Sequence, residues 1–271
     1  MVKFIRLLEF ELGRLLRFLI PTIMISAVMQ FIAMFNTITR YKDYLKQSLE
    51  SNMPMENFSM HDVTISGLFQ IAILMVPLLF VFYSLFTWYR EWLGKNTFIY
   101  RLLMLPIHRM SIFFSKALSF LIGGVLAFIT QFGLYAIISV IFKNAIQPEY
   151  FTAVNIHNVQ HPYEMIQRTL FPTTGFEFLH TYGFAFAALL VFFTAILMER
   201  SFGIKGLIAG IIYFIAYFMG YFSINILYAI ESLPFIIRHS HIFLIQLAYM
   251  ILVMMISSLI SHLLLKNKVR V

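Results

Sequence analysis

Six long apolar runs dominate this chain of 271 residues. A helix needs about 20 mostly apolar residues to cross a bilayer, and no run shows the alternating pattern of a membrane β-barrel strand. Only 12% of the residues are charged, against roughly 25% in soluble domains. The sequence therefore predicts an all-α integral membrane protein with about six transmembrane helices, near residues 18–36, 67–88, 115–142, 182–198, 206–229 and 242–265.

The basic residues predict the orientation of these helices. With a cytoplasmic N-terminus, fourteen of the 20 Lys and Arg residues fall in inside segments, and the other six fall outside. Because cytoplasmic loops carry an excess of Lys and Arg, we expect both termini in the cytoplasm. Orientation and anionic lipid then account for the formal net charge of +8. Neither outer loop forms a basic domain, so no nucleic acid partner is expected.

Three segments outside the spans have predicted structures of their own. Residues 2–17 place basic side chains on one helical arc and leucines largely elsewhere, which predicts an interfacial helix, with a basic flank that only orients the first span as the alternative. Pro21 then suits the first turn of the following span, where its missing N–H costs nothing. The outer loops, 37–66 and 143–181, are long for a compact bundle, and the first contains an amphipathic stretch. We expect a small helical extracellular cap, with unstructured polar loops as the alternative.

The chain lacks the sequence signatures of common enzymes. It has no cysteine, no P-loop, no H-E-x-x-H and no G-x-S-x-G. His157 and His161 have the spacing of two metal ligands, but no third ligand is fixed by the sequence, so they are interpreted as solvated loop residues. With no repeat and no linker, residues 1–271 are predicted to form a single transmembrane domain without catalytic residues, metal or cofactor of its own.

Polar residues inside the apolar runs are few. Gln30, Gln131 and Asn225 could line a substrate pathway, although hydrogen bonds between helices are a common use of such residues. No relay of acidic residues is apparent within the spans, which argues against proton-coupled transport. Gly206 and Gly210 form a small-xxx-small pair that would allow close approach of another helix, a smooth lipid-facing patch being the alternative.

The charged segment 90–109 interrupts the apolar pattern between the second and third spans. It follows an aromatic belt at Trp88, Tyr89 and Trp92. Apolar residues at near-helical spacing predict a short helix on the inner membrane surface, and Pro106 ends it because proline disfavours a helical residue before it.

This segment resembles the corresponding loop of the permease subunits of ABC-2 type ATP-binding-cassette exporters. The family pattern has an acidic residue, a glycine, a Leu-Leu-x-Leu-Pro turn, an arginine and a later lysine. The matching residues are Glu91, Gly94, Leu102, Leu103, Leu105, Pro106, Arg109 and Lys116. The N-terminal interfacial helix and the six-span plan with both ends inside also match, so the resemblance covers essentially the whole chain.

The resemblance implies a membrane subunit of an exporter in the bacterial cell membrane, working as a homo- or heterodimer of permease chains. A separate ABC ATPase subunit would hold ATP and Mg. The substrate would be amphipathic or hydrophobic, with a peptide as one candidate. Residues of the implied cytoplasmic coupling helix are Glu91, Gly94, Lys95, Phe98, Arg101, Leu102, Leu105, Pro106 and Arg109.

Other interpretations stay open at this stage. The segment 90–109 could be a basic loop that only orients the spans. The protein could be a non-transporting immunity or sensor subunit whose outer cap binds a peptide. An integral membrane enzyme that uses polar residues of the outer loops, such as His180, is a further alternative.

Overall fold

The computed structural model describes residues 2–51, 57–92, 108–152, 172, 174–230 and 235–267. Within these ranges the chain forms seven α-helices and no β-strand. Six of the helices, all except α2, are long and apolar enough to cross a membrane. The chain is therefore an all-α multi-pass membrane protein, as the sequence predicts. The helices are α1 (Val2–Ser51), α2 (Met60–Thr64), α3 (Gly67–Trp92), α4 (Met110–Ala145), α5 (Gly175–Phe202), α6 (Ile204–Ile230) and α7 (Phe235–Asn267).

Helix α1 differs from its prediction. It runs without a break for 50 residues, about 75 Å at the usual helical rise, so it is far longer than the roughly 30 Å core of a bilayer. The expected interfacial helix 2–17 is the first part of α1, and residues 37–51 of the expected outer loop are its last part. Neither Gly nor Pro occurs in 37–51 to end the helix.

Pro21 lies inside α1 and not in a first turn, so that prediction was wrong. A proline within a helix removes one backbone donor. Next to Pro21, Thr22 Oγ1 donates a hydrogen bond to the carbonyl of Phe18, one turn earlier in the helix, at 2.8 Å.

Helix α5 begins earlier than predicted and ends at a defined turn. Thr174 precedes it in an extended conformation and accepts a hydrogen bond from the N–H of Glu177 at 3.2 Å, which caps the helix. At the other end Gly203 has φ of 61° and donates to the carbonyl of Glu199 at 2.7 Å. A glycine suits this position because residues with a Cβ rarely adopt positive φ.

The chain comprises two compact units. Unit 1 contains Met1–Leu12, Tyr83–Leu121 and Pro172–Val271, and unit 2 contains Gly13–Phe82 and Ile122–Phe171. Part of the core of unit 1 is a cluster from α5, α6 and α7: Ala187, Val191, Tyr217, Met250 and Val253. The single permease domain proposed from the sequence stays a prediction.

One end of unit 2 is built from the segments beside α2 and after α4. Phe58 donates its N–H to the carbonyl of Tyr150 at 2.8 Å, and its own carbonyl accepts from Thr152 at 3.0 Å. Its ring is buried and meets that of Tyr41 edge-on, 5.4 Å between centroids. These contacts give the described parts of both predicted outer loops a packed structure, and their extracellular position stays a prediction.

Helices α5 and α6 approach each other closely at the predicted glycine pair. A Cβ built on Gly210 would lie 3.0 Å from Cα of Ala195, and one built on Gly206 would overlap the carbonyl of Met198. Small side chains are needed where helix backbones come this close. The close-approach interpretation of the pair is therefore confirmed.

Candidate functional site

The most unusual group of side chains in unit 1 is a buried ion triad formed by Lys116, Glu11 and Glu91. The ammonium nitrogen of Lys116 lies 2.8 Å from Oε1 of Glu11 and 2.7 Å from Oε1 of Glu91. The side chains of Lys116 and Glu91 are 0% exposed and that of Glu11 is 2% exposed. Both contacts are charge-assisted hydrogen bonds, which are stronger than neutral ones.

Three helices supply one member of the triad each. Glu11 lies in the N-terminal part of α1, Glu91 in the last turn of α3, and Lys116 in the second turn of α4. Burying a charge is costly unless it is paired. The triad therefore holds these three helix segments in one arrangement, because separating any of them would strand a buried charge.

Aromatic rings surround the ammonium group on the side of α5. Lys116 Nζ lies 5.4 Å from the centroid of the Trp88 ring, within the range of a cation–π contact. Phe193 of α5 is fully buried and meets Trp88, Phe113 and Phe120 edge-on at 5.5, 6.1 and 5.7 Å between centroids. Such apolar surroundings lower the local dielectric constant and strengthen the ion pairs.

Further contacts join the helix ends near the triad. The hydroxyl of Tyr89 in α3 donates to the carboxylate of Glu199 in α5. Arg109, immediately before α4, donates from Nη1 to the carbonyl of Leu265 in α7 at 2.8 Å. The ends of α3 and α4 that border residues 93–107 are thus attached to α1, α5 and α7 within unit 1.

The structure describes two of the predicted coupling residues. Glu91 belongs to the triad and Arg109 bonds α7, so both have partners inside the chain. The other members lie outside the described residues, and their coupling role stays a prediction: Gly94, Lys95, Phe98, Arg101, Leu102, Leu105 and Pro106. His157 and His161 also lie outside the described residues.

Sequence reasoning missed the triad as a unit. Glu11 and Glu91 lie outside the predicted spans and Lys116 lies at the start of the third, yet all three side chains are buried together. The position of Glu11 among the leucines of the first helix was a sequence signal for a buried carboxylate. Lys116 resembled a basic flank, because it follows several basic residues before an apolar run.

Two of the three predicted pathway residues contact each other in unit 2. Gln30 donates from Nε2 to Oε1 of Gln131 at 2.7 Å, and both amide groups bond the hydroxyl of Ser26. Ser26 in turn donates to the carbonyl of Ala72 in α3 at 2.7 Å. The network joins α1, α3 and α4 through buried polar groups. These are hydrogen bonds between helices, which were the expected alternative to a substrate pathway. The pathway role of Gln30 and Gln131 stays a prediction.

Asn225 belongs to a different network, in unit 1. Its Nδ2 donates to the carbonyl of Tyr221 at 3.1 Å, and its Oδ1 accepts from Nε2 of Gln246 at 2.9 Å. Oε1 of Gln246 then lies 2.7 Å from Nε2 of His180, and the Tyr221 hydroxyl lies 2.8 Å from the same nitrogen. With the amides oriented in this way Oε1 of Gln246 is an acceptor, so the network predicts that His180 carries its proton on Nε2.

His180 was expected in the second outer loop, and the structure places it in a helix instead. It lies in the second turn of α5 because the helix begins at Gly175, under the Thr174 cap, and not near residue 182. Its ring is half-buried beside Phe243 and Tyr221.

No protein-family model matches the sequence, and no curated protein or solved structure matches the chain. In the described ranges, no group of three or more His, Cys, Asp or Glu side chains is placed to hold a metal ion. The described charged groups Lys116, Glu11 and Glu91 join segments of α1, α3 and α4.

Proposed function

We propose that this chain is the membrane-spanning permease subunit of an ABC-2 type exporter. It moves an amphipathic or hydrophobic substrate, such as a peptide, out of a bacterial cell with ATP hydrolysed by a separate subunit. Two permease chains form the working unit, and an even number of crossings leaves both termini in the cytoplasm.

The observation that carries the proposal is the attachment of both borders of segment 93–107. Glu91 before the segment and Lys116 after it are joined directly, and Glu11 joins the same ammonium group. A segment that receives force from a partner must be attached to rigid helices. The buried triad supports the proposal because it attaches both helices that border the segment whose sequence resembles a coupling helix.

The proposed mechanism follows from the attachment of α1, α3 and α4 to one another through the triad. When the ATPase subunits close on ATP, they displace the segment 90–109 that is docked on them. Because α3 and α4 are linked through Lys116, they move together and do not splay apart. Glu11 passes the same displacement to α1. Substrate enters between the two permease chains, with Gln30, Gln131 and Asn225 as the first residues to test along its path.

The roles of the segment divide between two kinds of residue. Glu91 and Arg109 act inside the chain, where they position the ends of the loop. Docking on the ATPase falls to Gly94, Lys95, Phe98, Arg101, Leu102, Leu105 and Pro106, with Phe98 and Leu102 as apolar anchors of the kind that dominate protein interfaces.

The test begins with purification of the chain from its native membrane in mild detergent, followed by an assay of ATPase activity. We expect an ATP-binding subunit to co-purify with wild type and to be lost from a Phe98→Ala, Leu102→Ala variant. Lys143→Ala, a change in an exposed side chain in the last turn of α4, is the control and should retain the subunit. Recovery of the chain alone from wild-type membranes, with no ATPase activity, would overturn the proposal.

A second candidate is a sensor or immunity subunit without transport. The observation that favours it is the packed end of unit 2, where Phe58 joins the segments beside α2 and after α4. A structured outer surface of this kind could bind a peptide. Peptide binding that persists while no substrate moves across reconstituted vesicles would favour this candidate over the exporter.

A further inference from the structure

Two histidine rings stack on each other where the start of α4 meets the end of α7. The rings of His108, just before α4, and His262 in α7 lie 5.6 Å apart between centroids, and their planes differ by only 4°. Offset parallel packing is one of the arrangements that uncharged aromatic rings favour, at centroid distances of about 4.5–7 Å. Beside the rings, Nη1 of Arg109 donates to the carbonyl of Leu265 at 2.8 Å. The two contacts attach the same helix start to the same helix end.

The charged side chains next to the stack on its own two elements are cations. Arg109 follows His108 in the chain, and Lys266 lies one turn after His262, in the last turn of α7. Nδ1 of His108 accepts the N–H of Met110 at 3.4 Å, so this nitrogen is an acceptor in the stack. In the part of the chain that the structure describes, neither ring has a hydrogen bond or an ion pair with a carboxylate.

Carboxylates at the other helix ends of unit 1 have partners of their own or lie in the open. Glu11 of α1 and Glu91 of α3 share their lysine partner in the triad. Glu199 of α5 accepts from the hydroxyl of Tyr89, and Glu9 of α1 is exposed. None of these described bonds involves the stacked rings, so a charge on either ring has no acidic partner among them.

Protonation changes the energy of this contact. Histidine is the side chain that ordinarily gains its charge between about pH 8 and pH 5, and two imidazolium rings at the stacking distance repel each other. A charge on His108 would also lie at the start of α4, where the helix dipole is positive, and a proton on its Nδ1 would remove the acceptor of the Met110 N–H. The separated rings therefore take up a second proton more readily than the stacked rings do. The contact is present at neutral pH and is lost as the pH falls.

We propose that the stack of His108 on His262 is a proton-sensitive latch between α4 and α7. The latch is closed while at least one ring is neutral, and it opens in mild acid, when both rings are charged. Opening frees the start of α4, the helix that follows residues 93–107, from the end of α7. The latch is a property of the folded chain itself and does not rest on the exporter function proposed above.

The experiment measures the distance between α4 and α7 in the full chain in mild detergent. Because the chain has no cysteine, spin labels can be attached selectively at Phe114→Cys in α4 and Leu263→Cys in α7, two exposed positions. Pulsed electron paramagnetic resonance should show a mean label distance that increases by several ångströms between about pH 8 and pH 5. The distance should return to its first value when the pH is raised again.

Two variants of the labelled chain keep an aromatic ring but remove its charge. His262→Phe and His108→Phe can each still stack but cannot hold two charges, so the label distance at about pH 5 should stay at its neutral-pH value. Either variant is sufficient if the other does not fold. His61→Phe is the matched control, because it removes a histidine of α2 in unit 2, and it should open as wild type does. The proposal would be overturned by a wild-type distance that does not change with pH, by equal increases in the phenylalanine variants of the latch, or by loss of opening in the control.

Discussion

Lys116 and Glu91 form an ion pair of 2.7 Å whose side chains are both 0% exposed. The pair joins the last turn of α3 to the second turn of α4, the two helices on either side of residues 93–107. Its two residues are separated along the chain by that whole segment, so the contact fixes where the segment leaves α3 and where it enters α4. The contact therefore holds the last turn of α3 against the second turn of α4.

Removing the shared cation should destabilise the fold strongly. Lys116→Met leaves the carboxylates of Glu11 and Glu91 buried without their partner, and breaking a buried ion pair on one side costs about 3–5 kcal/mol. We expect a clear drop in the thermal unfolding midpoint in detergent. Lys143→Met changes an exposed lysine in the last turn of the same helix. An equal drop in that control would show that the triad has no special role.

Neutralising the whole triad should be less harmful than removing the lysine alone. In a Glu11→Leu, Glu91→Leu, Lys116→Met variant no buried charge is stranded, and replacement of buried ion groups by apolar residues of similar volume is often close to neutral for stability. The unfolding midpoint should therefore recover most of the loss seen in Lys116→Met. A triple variant less stable than the single one would contradict this account of the triad.

The sequence predicts the helical class and the spans because both depend on local composition. Long apolar runs identify six spans, and the structure has six helices that match them. The ends of the helices were predicted less well. Pro21 suggested a helix start, yet neighbouring residues on both sides continue α1, and the Thr174 cap that starts α5 early is a single weak signal.

The triad could not be predicted from the sequence because its members come from three helices. Glu11 and Lys116 are separated by 105 positions, and no local pattern states that they meet. Gln30 and Gln131 were each identified as buried polar candidates, but their mutual bond also depends on how α1 and α4 pack. The sequence identified these residues by their polarity within apolar runs, whereas their hydrogen-bond partners depend on how the helices pack.

The glycines of α4 and α6 should respond to alanine in opposite directions. Gly210→Ala should lower stability, because the new Cβ would lie 3.0 Å from Cα of Ala195 in α5. Gly133→Ala meets nothing within 4 Å, and alanine in an open helical position is favoured over glycine by about 0.5–1 kcal/mol. Thermal unfolding of the two variants provides the comparison. Equal effects would mean that α5 and α6 are not closely packed at Gly210.

The amide pair of unit 2 should contribute to stability through its hydrogen bonds. Gln131→Leu preserves side-chain bulk but leaves Nε2 of Gln30 without its 2.7 Å acceptor, and bonds of this type between membrane helices contribute about 1–2 kcal/mol in model peptides. The double variant Gln30→Leu, Gln131→Leu should lose less than the sum of the two single variants, since no polar group then remains without its partner. Additive losses would indicate that the two amides act separately.

The network of His180 predicts a specific tautomer. Asn225 donates to the carbonyl of Tyr221, so Gln246 must donate to Asn225 and accept from His180. Nitrogen-15 NMR of histidine-labelled protein should therefore show His180 with its proton on Nε2. Gln246→Leu removes the acceptor and should shift the ring toward a mixture of tautomers, and Asn225→Ala should do so too, because the Gln246 amide then loses the contact that orients it. A proton found on Nδ1 in wild type would show that the hydrogen bonds run in the opposite direction.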